Sequence, residues 1–130
     1  MKLFLDTAII KEIDERLSSG VISGITTNPT LIKKSGKDPD DIYADLIQEL
    51  GIQDLSIEVD GHDAETLIQN GIKYGKLWID KATIKLPCTP EGIKACKTLN
   101  YMGLRVNMTL VFSVSQAIPV SYTHLRAHEP

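Results

Sequence analysis

The chain has 130 residues, 42% of them hydrophobic and 24% charged, with a formal charge of -3, the proportions of a globular protein with room for one ordinary domain. No apolar run approaches the roughly 18 residues a membrane span needs, and no basic segment leads a long apolar stretch at the N-terminus, so a cytoplasmic protein without a membrane partner is expected. Dispersed Lys and Arg form no basic stripe, which argues against nucleic acid as a partner.

Residues 2–6 read as a first strand, followed by Ile9, Ile10, Ile13 and Leu17 at helical spacing and a stop at Gly20. Val21 to Ile25 reads as a second strand entering the polar turn Thr26-Thr27-Asn28-Pro29-Thr30, with a short helix through Leu31 and Ile32 to Gly36. The spacing of Ile42, Leu46, Ile47 and Leu50 predicts one longer helix from about Pro39 to Gly51. Leu55 to Val59 alternates as a strand does, and Asp63 then opens a helix expected to reach Gly75. Residues 82–86 form the next strand, Thr89-Pro90 caps a helix through Ile93, Cys96 and Leu99, and residues 105–110 make the fifth strand. Cys88 and Cys96 lack metal-ligand spacing and a CxxC pair, so both are expected to be reduced, with no metal bound and no function assigned.

Strands alternate with helices and no Asn-Gly hairpin joins two of them, so the fold is expected to be α/β with a parallel sheet. Asp6, Glu58, Lys85, Asn107 and Thr109 each sit in the second half of a strand. A central strand of an open doubly wound sheet reads as nearly continuous Val, Ile and Leu, whereas a closed barrel turns one face of each strand into its bore and builds its site at the C-terminal mouth. The pattern therefore predicts a (β/α)8 TIM barrel. Eight such units need roughly 200 residues, and this chain supplies about five.

The segment from Val120 to Glu129 breaks the apolar helix begun at Ser113 and holds two of the three histidines. Those ten successive residues resemble the translation, in one frame, of a transposase adapter used in DNA sequencing libraries, and Pro130 departs from it. Residues 1–118 are accordingly read as an incomplete barrel domain and residues 119–130 as a non-native tail, of which residues 120–129 are expected to make few contacts.

Lys85 lies between Ile84 and Leu86 on a strand that ought to be buried. Such a lysine must find a carboxylate or lose its proton more easily than a surface amine, and the neutral amine is the usual nucleophile for an imine with a ketone or aldehyde. Asp6 and Glu58 are carboxylates expected at the same mouth, where imine chemistry needs groups to move protons. Each has a plainer reading, Asp6 as a cap of the first helix and Glu58 as a charge partner of Lys85. Asn28, Asn107 and Thr109 supply donors and acceptors suited to a polyhydroxylated substrate or an ordered water, although Asn before Pro is also a common turn former and Thr is at home in strands.

Phe4-Leu5-Asp6-Thr7-Ala8, Gly24-Ile25-Thr26-Thr27-Asn28-Pro29-Thr30, Ile84-Lys85-Leu86-Pro87 and Asn107-Met108-Thr109-Leu110-Val111-Phe112-Ser113 resemble, in order, the signatures of the transaldolase family. The likeness runs from Met1 to about Ile118 and is nearest to the short-chain subgroup of transaldolases and fructose-6-phosphate aldolases. It implies a (β/α)8 barrel, no cofactor, sugar-phosphate substrates and, in the full-length protein, a homo-oligomer. It also implies Lys85 as the Schiff-base lysine, Asp6 as acid/base, Glu58 acting through a water held partly by Thr109, and Asn28, Asn107 and Thr26 as substrate ligands. Fructose-6-phosphate aldolases tend to carry Gln where this chain has Glu58, which favours the transaldolase and leaves the aldolase as the alternative. The family's phosphate-binding Ser and Arg are expected beyond Ile118, so the 130-residue chain alone is expected to be inactive.

Overall fold

Apolar strands and capped helices alternate along the chain in the computed structural model, which describes residues 2–109 and 126–127. The order is β1 (Leu3–Asp6), α1 (Ile10–Leu17), β2 (Ile22–Thr26), α2 (Pro29–Ser35), α3 (Pro39–Ala44), β3 (Leu55–Glu58), α4 (Ala64–Leu77), β4 (Ala82–Pro87), α5 (Pro90–Tyr101), β5 (Arg105–Thr109) and β6 (Arg126–Ala127). The fold is α/β, with every recorded strand pairing parallel. The chain divides into two compact units, one ending at Ile57 and the other beginning at Glu58.

In the first unit β2 pairs with β1 and with β3, and the register sets Asp6 beside Thr26 and Thr26 beside Ser56. Ile13, Ile25, Ile42, Leu46, Leu55 and Ile57 are fully buried in its core. Gly24 is required on β2 because a Cβ there would run into the ring of Phe4. The single helix expected from Pro39 to Gly51 is instead α3 followed by a π-helical turn over Asp45–Glu49. Leu50 N–H donates to Asp45 at 3.1 Å and Ile52 N–H to Leu46 at 3.0 Å. Leu46 and Ile47 are both buried within this turn.

In the second unit β4 pairs with β5 over five residues, from Thr83 beside Arg105 to Pro87 beside Thr109. Ile84, Leu86, Cys96, Leu99 and Met108 are fully buried. Helix α4 does not stop at Gly75, as the sequence suggested, but continues to Leu77. Leu67, Gly71 and Gly75 are its buried residues, one stripe at a spacing of four. A Cβ on Gly71 would lie 2.6 Å from Leu99 Cδ1, and one on Gly75 would lie 2.7 Å from Leu104 Cδ1. The glycines are thus packing positions that let leucines from α5 and the following turn approach the helix, and not punctuation. At the start of α5, Thr89 Oγ1 accepts from Gly92 N–H at 3.0 Å. A Cβ on Gly92 would collide with the carbonyl oxygen of Pro87, the last residue of the strand that carries Lys85.

The helix expected from Ser113 and the tail residues 119–125 and 128–130 lie outside the described residues. Within the tail, Arg126 and Ala127 pair parallel with Asn107 and Met108 of β5. An edge strand presents unpaired N–H and C=O groups that template any extended segment, which accounts for the pairing without a demand on its sequence.

Helices α4 and α5 are tied by Glu91, whose Oε2 accepts from Ala64 N–H at 2.8 Å while Oε1 accepts from Lys94 Nζ at 3.0 Å. The Ala64 bond first, and Lys94 second, hold the Glu91 carboxyl below its ordinary value of 4.5. A lowered carboxylate contributes stability that is fully present above the unfolded value and is lost as pH falls through the folded one. Urea midpoints of the unmodified chain and Glu91→Gln should therefore differ at pH 7 and converge as pH drops below about 4, with the unmodified chain the more stable at neutrality. A difference that persists undiminished at pH 2 would contradict that assignment.

Substitution of the packing glycines should rank by what the new methyl meets. Gly92→Ala meets backbone and should lower stability by about 2 kcal/mol, the overpacking cost exceeding the roughly 1 kcal/mol that Ala gains in a helix. Gly71→Ala meets a leucine methyl that can turn aside, so its urea midpoint should fall less than that of Gly92→Ala.

Candidate active site

Every candidate side chain stands at or near the C-terminal end of a parallel strand. Asp6, Thr26, Glu58 and Thr109 are the last residues of β1, β2, β3 and β5, Lys85 is the fourth residue of β4, and Asn107 the third of β5.

Lys85 follows from strand alternation. Ile84 and Leu86 turn into the core and are fully buried, so the residue between them faces the other way. Its side chain is nevertheless only 12% exposed, and its Nζ lies 3.7 Å from Glu58 Oε2, whose side chain is 36% exposed. The backbone sets that approach, because Val59 N–H donates to the Lys85 carbonyl at 3.4 Å and so brings the end of β3 alongside β4. Asn70 Nδ2 donates to the Asp60 carbonyl at 2.6 Å and anchors the loop that leaves Glu58. The plainer reading of Glu58 as a charge partner of Lys85 is therefore met by the geometry. It does not compete with a chemical role, since a carboxylate beside an amine is also placed to exchange protons with it through a water.

Asn107 is half-buried and sits in register with Lys85 on the neighbouring strand, so the two side chains share one face of the sheet. Thr109 lies one pleat further on, beside Pro87, and is buried. Its hydroxyl donates to the Leu86 carbonyl at 3.2 Å. With its proton engaged there, Thr109 Oγ1 is an acceptor toward a water or a substrate hydroxyl.

In the first unit Thr26 Oγ1 donates to Asp6 Oδ1 at 2.8 Å. Asp6 is exposed and does not cap the first helix: the N-cap of α1 is Ile9, which makes no side-chain capping bond, and it is Thr7 Oγ1 that accepts Ile9 N–H at 3.2 Å. Asn28 does serve as a cap, its Oδ1 accepting Leu31 N–H at 3.0 Å at the head of α2. Only its carbonyl half is used in that bond, and its Nδ2 is the half chemically suited to donate to a hydroxyl.

Two residues that the sequence did not single out hold this arrangement. Thr27 is fully buried and donates to the Ser56 carbonyl at 2.8 Å, fixing the turn that delivers Asn28. Glu91 joins the heads of α4 and α5, whose loops follow β3 and β4. The doubled Thr-Thr before Asn-Pro was a readable signal for Thr27, since a polar turn that reaches the core needs a buried donor. No local pattern marks Glu91, whose partner is 27 residues away.

The chemistry open to these groups is that of an amine shielded from solvent, a carboxylate within reach of it, and amide and hydroxyl groups able to donate and accept hydrogen bonds. Among the described residues no group of three or more His, Cys, Asp or Glu is arranged to hold a metal ion. Both cysteines are thiols, Cys88 half-buried and Cys96 buried. Among the described residues no helix is long and apolar enough to cross a membrane.

Comparison with known proteins gives a consistent result. A family profile described as Transaldolase/Fructose-6-phosphate aldolase matches residues 3–122. The chain is 46% identical over 118 residues to a probable transaldolase of Ruegeria sp., which aligns with 91% of this chain and 54% of that protein. It is 42% identical over 118 residues to a probable transaldolase of Carboxydothermus hydrogenoformans and 45% identical over 121 residues to one of Geotalea daltonii, with the same shares covered. The chain thus spans about half the length of the curated relatives it matches. Its parallel strands alternating with helices are the N-terminal portion of a TIM barrel, and the chain belongs to the transaldolase/fructose-6-phosphate aldolase family.

Proposed function

We propose that the full-length protein carrying this segment is a transaldolase, which moves a dihydroxyacetone unit from a ketose phosphate, fructose 6-phosphate or sedoheptulose 7-phosphate, to an aldose phosphate. The observation that carries this reading is Lys85, 12% exposed and 3.7 Å from Glu58 on the adjoining strand. An amine so shielded from water is suited to hold a carbonyl as an imine, and the carboxylate beside it is suited to pass protons while the carbinolamine loses water.

In this mechanism Lys85 Nζ attacks C2 of the ketose and forms the Schiff base. Glu58 activates the water that is lost and later returned, and Thr109 accepts a hydrogen bond from it. Asp6 takes the proton of the C4 hydroxyl as the C3–C4 bond breaks. The electron pair of that bond passes to the protonated imine to give an enamine, and glyceraldehyde 3-phosphate leaves when the donor is fructose 6-phosphate. The enamine then attacks the incoming aldose, and water releases the new ketose. Asn28 and Asn107 hold the hydroxyls of the retained unit. The imine supplies the electron sink, so the scheme uses no cofactor. Such an enzyme works on the soluble sugar phosphates of the pentose phosphate pathway in the cytoplasm, where thiols such as those of Cys88 and Cys96 stay reduced.

Borohydride added to the full-length protein with fructose 6-phosphate should leave a three-carbon adduct on the peptide bearing Lys85, read by mass spectrometry. Lys85→Ala should abolish turnover, because Lys81 precedes the N-terminal end of β4, opposite the end where the candidate groups stand. An adduct on another lysine would refute the assignment.

The aldolase named in the same family description is the alternative, and Glu58 separates the two. Fructose 6-phosphate with erythrose 4-phosphate should yield sedoheptulose 7-phosphate much faster than fructose 6-phosphate alone releases dihydroxyacetone. Glu58→Gln should lower transfer by roughly 100-fold, since it removes the charge and adds donors at the activated water. Equal rates of release and transfer in the unmodified protein would favour the aldolase.

A further inference from the structure

Asp6 ends β1 in register with Thr26 at the end of β2, and the Thr26 hydroxyl donates to Asp6 Oδ1 at 2.8 Å. The head of α1 makes no use of Asp6, its first N–H bond to a side chain going to Thr7. A carboxylate at an exposed strand end has a broad terminal torsion, so the backbone alone does not fix where its oxygens point. Threonine is the reverse case, a β-branched residue with a stiff first torsion, and here it is held by a paired strand. One hydrogen bond from Thr26 therefore holds Oδ1 and leaves Oδ2 available as an acceptor. The same bond commits the Thr26 proton to the protein, which argues against a substrate ligand that donates through this hydroxyl.

We infer that Thr26 is a positioning residue for Asp6, holding its carboxylate so that the second oxygen receives the C4 hydroxyl proton during cleavage of the C3–C4 bond. The inference rests on the aldol mechanism proposed above and adds to it a division of labour. Imine formation at Lys85 does not need Thr26, whereas bond cleavage does. Loss of the Thr26 hydroxyl should therefore slow one step of the sequence and leave the preceding one intact.

The experiment compares Thr26→Val, which keeps the shape and removes the hydroxyl, with Thr26→Ser, which keeps the hydroxyl, in the full-length protein. Steady-state constants are read together with the mass of the borohydride-reduced adduct formed on Lys85 with fructose 6-phosphate. Thr26→Val should lower kcat by about 10- to 100-fold while KM changes by less than about threefold, as expected for misplacing a reacting group without losing a substrate contact. The six-carbon adduct, the donor imine before cleavage, should replace the three-carbon adduct as the main species. Thr26→Ser should restore both kcat and the three-carbon adduct. Thr26→Ala provides a second hydroxyl-free variant should the valine disturb folding, and it should show the same shift in adduct mass.

Three results would overturn the inference. One is an unchanged ratio of three-carbon to six-carbon adduct in folded Thr26→Val and Thr26→Ala. Another is a rise in KM with kcat unchanged, which would make Thr26 a substrate ligand. The third is a serine variant no better than the valine, which would make the role one of packing. Absence of any Lys85 adduct in the unmodified protein would instead remove the aldol mechanism itself, an outcome distinct from a normal Lys85 adduct whose mass ignores Thr26.

Discussion

A charged amine only 12% exposed needs a partner, and Lys85 has Glu58 on the adjoining strand. The requirement comes from the lysine side, since losing Glu58 would leave a charge at a shielded amine that its surroundings solvate poorly. Much of the second unit serves that pair. Ile84 and Leu86 anchor β4 on either side of Lys85, the Lys85 carbonyl takes the N–H of Val59 next to Glu58, and Gly92 lets the following helix close against Pro87. A separation of 3.7 Å is loose for a hydrogen bond but well within electrostatic reach.

The first unit follows the same strategy with different parts. Asp6 and Thr26 end neighbouring strands in register, Thr27 reaches into the core to the Ser56 carbonyl, and Asn28 starts a helix. Parallel strands place the C-terminal ends of neighbours on the same side, so successive strand ends can each contribute one polar group without any long-range pairing of sequence motifs. The interior of each strand is left to apolar packing. This separation explains how a lysine can stand on a strand whose neighbouring residues, Ile84 and Leu86, are ordinary core.

Much of this is legible in the sequence. The alternation of strands and helices, the parallel sheet, the caps at Asp63 and Thr89, and the clustering of polar residues near strand ends follow from periodicity and local capping chemistry. The departures have physical causes that lie beyond a local window. Gly75 looked like a helix stop because glycine is costly inside a helix, yet Leu104 needs the missing side chain for its own packing. The π-helical turn after α3 keeps Leu46 and Ile47 buried just as a regular helix would, so the apolar spacing does not distinguish the two. Asn28 was readable as a turn former and is indeed a cap, whereas the bond from Thr26 to Asp6 joins residues 20 apart and had no sequence signal of its own. The Glu91 link between two helix heads was invisible for the same reason.

The central claim is that Lys85 is a nucleophile and Glu58 its proton-handling neighbour. It is tested most directly by a crystal structure of the full-length protein soaked with fructose 6-phosphate and frozen during turnover. The account predicts continuous density from Lys85 Nζ to C2 of the sugar, with Nζ planar and a water between it and Glu58. A sugar phosphate bound without a covalent link, with Lys85 Nζ still paired to Glu58, or an imine formed on any other lysine, would contradict it.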